Sequence, residues 1–160
     1  MKNNIFCGLL FIMAVCFSSC HNNVYYNDIQ PIPKEQWNIQ NPLTFTVDIQ
    51  DPMAYYNMYI SLRNTTDFET QNFYVFMKTT FPDGHSDQDT LGFILCDQFG
   101  QWTGKGQGRI KDNKFLFQPK VRFPQTGKYT FTVTQAMRTD KVKGISDFGI
   151  ILENWEEPRN

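Results

Sequence analysis

Four groups in this chain have residue types and spacings able to do chemistry. The first is the thiol of Cys20, which directly follows Phe17-Ser18-Ser19 and an apolar run from Ile5 to Phe17. A cysteine behind small residues at the end of such a run is the acceptor for a thioether-linked diacylglycerol, so Cys20 is read as a lipid-attachment site. The second is His85-Ser86-Asp87-Gln88-Asp89, where an imidazole and two carboxylates stand at alternate positions. Mixed ligands of this kind select no single metal strongly, and the stretch follows the turn signal Pro82-Asp83-Gly84, so a solvated turn outweighs a metal site. The third is Gly104-Lys105-Gly106-Gln107-Gly108-Arg109. A phosphate cradle needs a helix N-terminus behind its glycines, whereas Ile110 to Phe117 has strand character, so a hairpin or bulged strand is expected. The fourth is Cys96, which falls in the apolar run Phe93-Ile94-Leu95-Cys96 and is expected to be a buried, inert thiol.

Beyond these the chemical repertoire is thin. The second imidazole, His21, lies beside Cys20, no serine stands in a nucleophile elbow, and acids are scarce within the apolar-periodic segments. No catalytic residue, cofactor or metal is assigned. Residues 1–19 carry one Lys and no acid, which leaves 14 basic against 16 acidic side chains in the rest of the chain. That balance and the lack of a Lys/Arg stripe disfavour nucleic acid as a partner. Exposed rings are the better lead. Tyr55 and Tyr59 fall on the polar face of their segment, Tyr74 and Phe76 lie opposite a core face, and Trp102 adjoins the glycine loop that carries Lys105 and Arg109. Tyr55, Tyr59, Trp102, Lys105 and Arg109 form the candidate surface for a protein partner or a glycan. For each ring, burial under a second sheet or loop is the plainer alternative.

The elements that position these groups are strands. Ile5 to Phe17 has the length of a signal-peptide core, well short of the roughly 20 residues a membrane span needs. Residues 1–19 are therefore expected to be a signal peptide and 20–41 a lipidated cysteine with a tether, because Pro31, Pro33 and Pro42 interrupt regular structure. Trp37 is the one residue there expected to dock on the domain. From Leu43 the hydropathy alternates with period two: Leu43, Phe45, Val47 and Ile49 share one face, as do Tyr56, Met58, Ile60 and Leu62. Asn72 to Phe81 is apolar on both faces, which suits a central strand or a covered outer face. Strands follow at Thr90 to Asp97, at Ile110 to Phe117 with an edge or break at Pro119, at Lys128 to Thr134, and at Ile145 with Phe148 to Leu152. Short strands between turn signals predict an all-β fold, an antiparallel two-sheet sandwich of jelly-roll or Greek-key type over residues 42–153, with a polar tail at 154–160.

Several segments taken together resemble a known family. Phe17-Ser18-Ser19-Cys20 resembles a bacterial lipoprotein lipobox. Asn72-Phe73-Tyr74-Val75-Phe76, Trp102-Thr103-Gly104-Lys105-Gly106, Gln135-Ala136-Met137-Arg138 and Gly144-Ile145-Ser146-Asp147-Phe148-Gly149 resemble the gliding motility lipoprotein family of Bacteroidetes, GldH type, over nearly the whole chain behind Cys20. The resemblance implies a membrane-held, non-enzymatic envelope protein whose partners are envelope proteins of the motility and secretion machinery. The residues after Cys20 lack Asp at the second mature position, a pattern similar to that of outer-membrane lipoproteins facing the periplasm. Arg138 is expected to pair with Asp147 or Asp97, and Gly144 and Gly149 to serve turns and close packing.

Overall fold

The computed structural model describes residues 23–157; the expected signal peptide at 1–19, Cys20 and the last residues of the expected tail lie outside the described residues. Within them the chain forms ten strands: β1 (Val24–Pro31), β2 (Gln36–Asn38), β3 (Leu43–Ile49), β4 (Tyr55–Thr65), β5 (Asn72–Thr80), β6 (Ser86–Ile94), β7 (Ile110–Arg122), β8 (Gly127–Gln135), β9 (Lys141–Lys143) and β10 (Ile145–Asn154). All ladders are antiparallel. One sheet has the order β1-β10-β4-β7, the other β3-β8-β5-β6, and β2 pairs with β9 as a small ribbon.

The expected two-sheet antiparallel sandwich is what forms, because the period-two segments each turn one apolar face inward. Phe45, Val47 and Ile49 of β3, Met58, Ile60 and Leu62 of β4, Phe73, Val75 and Met77 of β5, and Phe148, Ile150 and Leu152 of β10 are buried in one core. Its centre is aromatic. The Phe148 ring lies 5.4 Å from Trp37, 6.2 Å from Phe45 and 6.3 Å from Phe93, in the tilted and edge-on geometries that ring quadrupoles favour.

The structure corrects the reading of Val24 to Gln40 as a tether. Val24–Pro31 is the edge strand of the first sheet and is paired along β10, while Trp37 of β2 is buried opposite Val142 of β9. The prolines do not prevent this, since Pro31 ends the edge strand and Pro33 opens a tight turn in which Lys34 and Glu35 take left-handed backbone. Strand β1 escapes hydropathy analysis because its inward positions are Tyr26, Asp28 and Gln30. Their polar atoms are joined to one another and to the neighbouring sheet: Gln30 Nε2 donates to Asp28 and to the carbonyl of Thr44.

Further differences are local. Strand β6 begins at Ser86, so Ser86 to Asp89 belong to a ladder with Thr80 to Met77 rather than to a turn. His85 remains in the turn, its ring stacked 4.0 Å from Phe81 and its Nδ1 2.5 Å from Asp83. Cys96 is half-buried rather than buried, because alternation along β6 and beyond puts Leu91, Phe93 and Leu95 inside and leaves Ile94 outside. Asp147 faces Arg63 at 3.6 Å instead of Arg138, and Asp97 accepts from the backbone N–H groups of Phe99 and Gln101. Strand β7 runs through Pro119 on the sheet edge, with register irregularities opposite Tyr56 to Tyr59 and left-handed Lys120. The polar tail begins as sheet: Asn154 ends β10, and the Trp155 N–H donates to the carbonyl of Tyr55.

The connections between strands gather at the two ends of the sandwich. At one end lie Asn23 and Val24, the turn between β3 and β4, the Pro82 to His85 turn, the turn between β7 and β8, and Trp155. At the other lie the loops after β4, β6 and β8. The two sheets also leave a seam between edge strands β6 and β7. Phe93 and Phe115, 5.0 Å apart, close it at one point, and elsewhere it opens into a crevice of about 250 Å³ lined by Met58, Met77, Phe117, Val121, Asp87 and Asp89.

Candidate functional site

The five residues expected to form a partner or glycan surface do not converge. Tyr55 and Tyr59 share the outer face of β4, each under a lysine: Lys120 Nζ lies 5.3 Å from the Tyr55 ring and Lys114 Nζ lies 4.1 Å from the Tyr59 ring. Trp102 bridges backbone to backbone with Cys96 and is packed half-buried against the core. Lys105 exchanges two 2.8 Å backbone hydrogen bonds with Asp112, which makes the glycine segment the hairpin expected of it. Arg109 is engaged elsewhere. Its guanidinium is forked on the Glu35 carboxylate and reaches Asp67 at 3.0 Å, so it ties the β1–β2 turn to the loop after β4. The hydrogen bonds from Arg109 hold the Glu35 carboxyl below its usual range.

A groove at the same end of the sandwich brings together residues from three separated segments. Strand β4 leaves the sheet at Thr65, whose Oγ1 accepts from the Asp67 N–H and turns the chain so that Phe68 packs edge-on against Phe73 at 5.9 Å. Gly144 permits this approach. Its φ is +89°, and a Cβ there would stand 2.5 Å from the Phe68 nitrogen. On the opposite wall, β8 ends at the fully buried Gln135. The Gln135 amide donates to the carbonyls of Thr139 and Asp140 and accepts from the Met137 N–H, so one buried side chain shapes the loop that follows it. The Ala136 N–H donates to the Tyr74 carbonyl and the Tyr74 N–H to Met137 Sδ, which closes the groove along β5. Pairing of β9 with β2 turns Val142 inward against Trp37 and leaves Lys141 and Lys143 outside.

The result is a cavity of about 420 Å³ with Phe68, Val142, Tyr74 and Met137 as its apolar lining and Arg138, Lys141 and Lys143 as its cations, against the single carboxylate of Glu69. On a chain whose acids outnumber its bases, this is a local positive concentration. It can hold an apolar side chain flanked by carboxylates. Sequence reasoning singled out Gln135 to Arg138 as a family-like segment and gave Arg138 a structural ion pair, but did not place it in a groove, because no periodicity links residues 68–70 to 136–143.

Among the described residues no cluster of three or more His, Cys, Asp or Glu stands ready to hold a metal ion. Among solved structures, TmCBM61 in complex with β-1,4-galactotriose is similar at 11% identity, covering 83% of this chain and 90% of that one, with a TM-score of 0.32, too low to bear on fold or ligand. Sequence relatives are more informative. The chain is 30% identical over 156 residues to the gliding motility lipoprotein GldH homolog of Christiangramia forsetii, covering 92% of this chain and 95% of that one. It is 25% identical over 153 residues to the gliding motility lipoprotein GldH of Flavobacterium johnsoniae, covering 91% and 94%. The family model for the GldH lipoprotein matches residues 24–152, from the first residue of β1 almost to the end of β10, and the chain therefore belongs to that family of lipid-anchored cell-envelope proteins.

Proposed function

We propose that this protein is a non-enzymatic assembly component of the gliding-motility and secretion machinery, held by a lipid on Cys20 at the outer membrane and facing the periplasm. The observation that carries this reading is the family match over residues 24–152, with relatives named for gliding motility. The groove between the loop after β4 and the loop after β8 is the docking site for an envelope protein, because it pairs an apolar floor with Arg138, Lys141 and Lys143. Its partner segment is one that offers an apolar anchor beside acidic residues, which the cations favour both in encounter and in the bound state. A diacylglyceryl group and an amide-linked acyl chain on Cys20 exceed the two-signal threshold for stable anchoring, so the docking site stays at the membrane.

A photoreactive residue in place of Met137, activated in intact cells, is expected to capture motility or secretion components. Arg138→Glu with Lys141→Glu should abolish the capture while leaving the fold intact, since neither side chain is buried in the core. Repeated isolation of the protein alone, or capture that survives the double charge reversal, overturns the assignment. Cys20→Ser is expected to abolish acyl labelling and release the protein to the soluble fraction.

A further inference from the structure

We infer that the end of the sandwich opposite the groove rests directly on the lipid bilayer, with Met53, Tyr55 and Trp155 inserted at headgroup depth. The inference rests on the lipid-anchored reading of Cys20 and goes beyond it, since a lipid alone sets no orientation.

The first observation is chain length. Asn23 is held on Asn154 by two hydrogen bonds: its Nδ2 donates to the Asn154 carbonyl, and its carbonyl accepts from the Asn154 N–H, so the fixed fold begins there. Only three residue steps separate Asn23 from Cys20. At about 3.3 to 3.6 Å per residue, a fully extended chain spans about 11 Å between them. A domain attached through so short a link cannot stand clear of the surface that holds the lipid. The end that carries Asn23 is the end that meets it.

The second observation is what that end displays. Met53 is 68% exposed at the tip of the turn between β3 and β4, and Tyr55 and Val24 are 39% and 37% exposed beside it. Trp155 lies edge-on to Tyr55 with ring centroids 6.0 Å apart, and Lys120 Nζ sits 3.9 Å above the Trp155 ring. Aromatic rings with an apolar body and a polar edge, accompanied by a lysine, are the side chains that settle at a membrane–water interface. Asp51, Asp83 and the exposed Glu156 and Glu157 after Trp155 share this end, so attachment comes from insertion of methionine and rings and not from net charge.

The orientation has a geometric result for the groove. Strand β4 runs from the membrane end to the loop that carries Phe68, and its 11 residues extend about 33 Å at roughly 3.3 Å per step. The basic groove is thereby lifted well past the headgroups and turned toward the aqueous compartment.

The test uses the native lipidated protein in vesicles of phosphatidylethanolamine and phosphatidylglycerol with acyl chains brominated near the headgroup. Bromine quenches only tryptophans at the membrane. Trp37 is buried in the core and Trp102 lies at the far end, so the expected quenching belongs to Trp155 and is lost in Trp155→Phe. Met53→Glu, at an exposed turn that tolerates substitution, should reduce it, and high salt should leave it unchanged. Protein that floats with the vesicles but shows no quenching overturns the docked orientation while leaving the anchor in place. Quenching that persists in Trp155→Phe, or that salt abolishes, overturns it as well. Protein that does not float with the vesicles overturns the anchor and the orientation together.

Discussion

Gly144→Ala is the substitution whose effect the structure specifies most fully. The residue has φ +89°, and the left-handed region costs an L-residue about 1 to 2 kcal/mol. The added methyl carbon would meet the nitrogen of Phe68 at 2.5 Å and its Cα at 2.7 Å, and backbone atoms cannot rotate away as a side-chain tip can. Overpacking of this kind adds about 1 to 3 kcal/mol. Gly144 also donates its N–H to the Glu35 carbonyl and accepts from the Thr65 N–H, both at 2.8 Å, so the displaced Phe68 pulls on two further loops. The expected loss is about 2 to 5 kcal/mol, a large share of the roughly 5 to 15 kcal/mol that holds a domain together. Gly84→Ala provides the control. Its φ is +90° but no atom lies within 4 Å of its added carbon, so only the backbone cost of about 1 to 2 kcal/mol is expected. Equilibrium urea unfolding of both variants, compared by midpoint at unchanged slope, isolates the steric part. If the two variants lose the same stability to within about 0.5 kcal/mol, the close approach of Gly144 to Phe68 is not what the residue provides.

Buried and bridging polar groups give two more expected outcomes. Asn113 Nδ2 donates to the Leu62 carbonyl and to Asn64 Oδ1, and Asn64 is fully buried, so Asn113→Ala strands a buried acceptor and should cost about 1 to 3 kcal/mol in denaturant titration. The Glu35 carboxyl is held below its ordinary value by Arg109, so its contribution to stability is present above the unfolded carboxyl range and is lost as pH falls through the lowered value. Nuclear magnetic resonance titration of Glu35 should show that value return to the ordinary range in Arg109→Gln; an unchanged titration removes Arg109 as the cause.

How much of this was legible in the sequence depended on whether an element announced itself by hydropathy. Leu43 to Ile49 and Lys128 to Thr134 alternate cleanly because their inner faces meet the aromatic core, and both form the strands expected of them. Strand β1 turns Tyr26, Asp28 and Gln30 inward at a sheet edge, where hydrogen bonds to β3 stand in for apolar contact, and no hydropathy pattern reports that substitution. Asp87 and Asp89 hid the start of β6 because both faces of the strand are exposed and polar there. The groove was illegible because its walls join through Gly144 and Gln135, a glycine and a buried amide whose roles depend on what lies across space from them. Arg109 was visible as a surface cation, but only the left-handed turn at Lys34 and Glu35 reveals that it is already occupied.

The two acids of β6 have one more consequence. Copies fastened to the same bilayer are confined to two dimensions, which raises the local concentration at which they encounter one another. Under that crowding an unprotected strand margin is a template for chain-to-chain polymerisation. Asp87 and Asp89 point to the crevice side of that margin, so joining two copies along it would bring four carboxylates together. Inward-pointing charges on an edge strand of this kind disfavour edge-to-edge pairing of two copies on a crowded membrane.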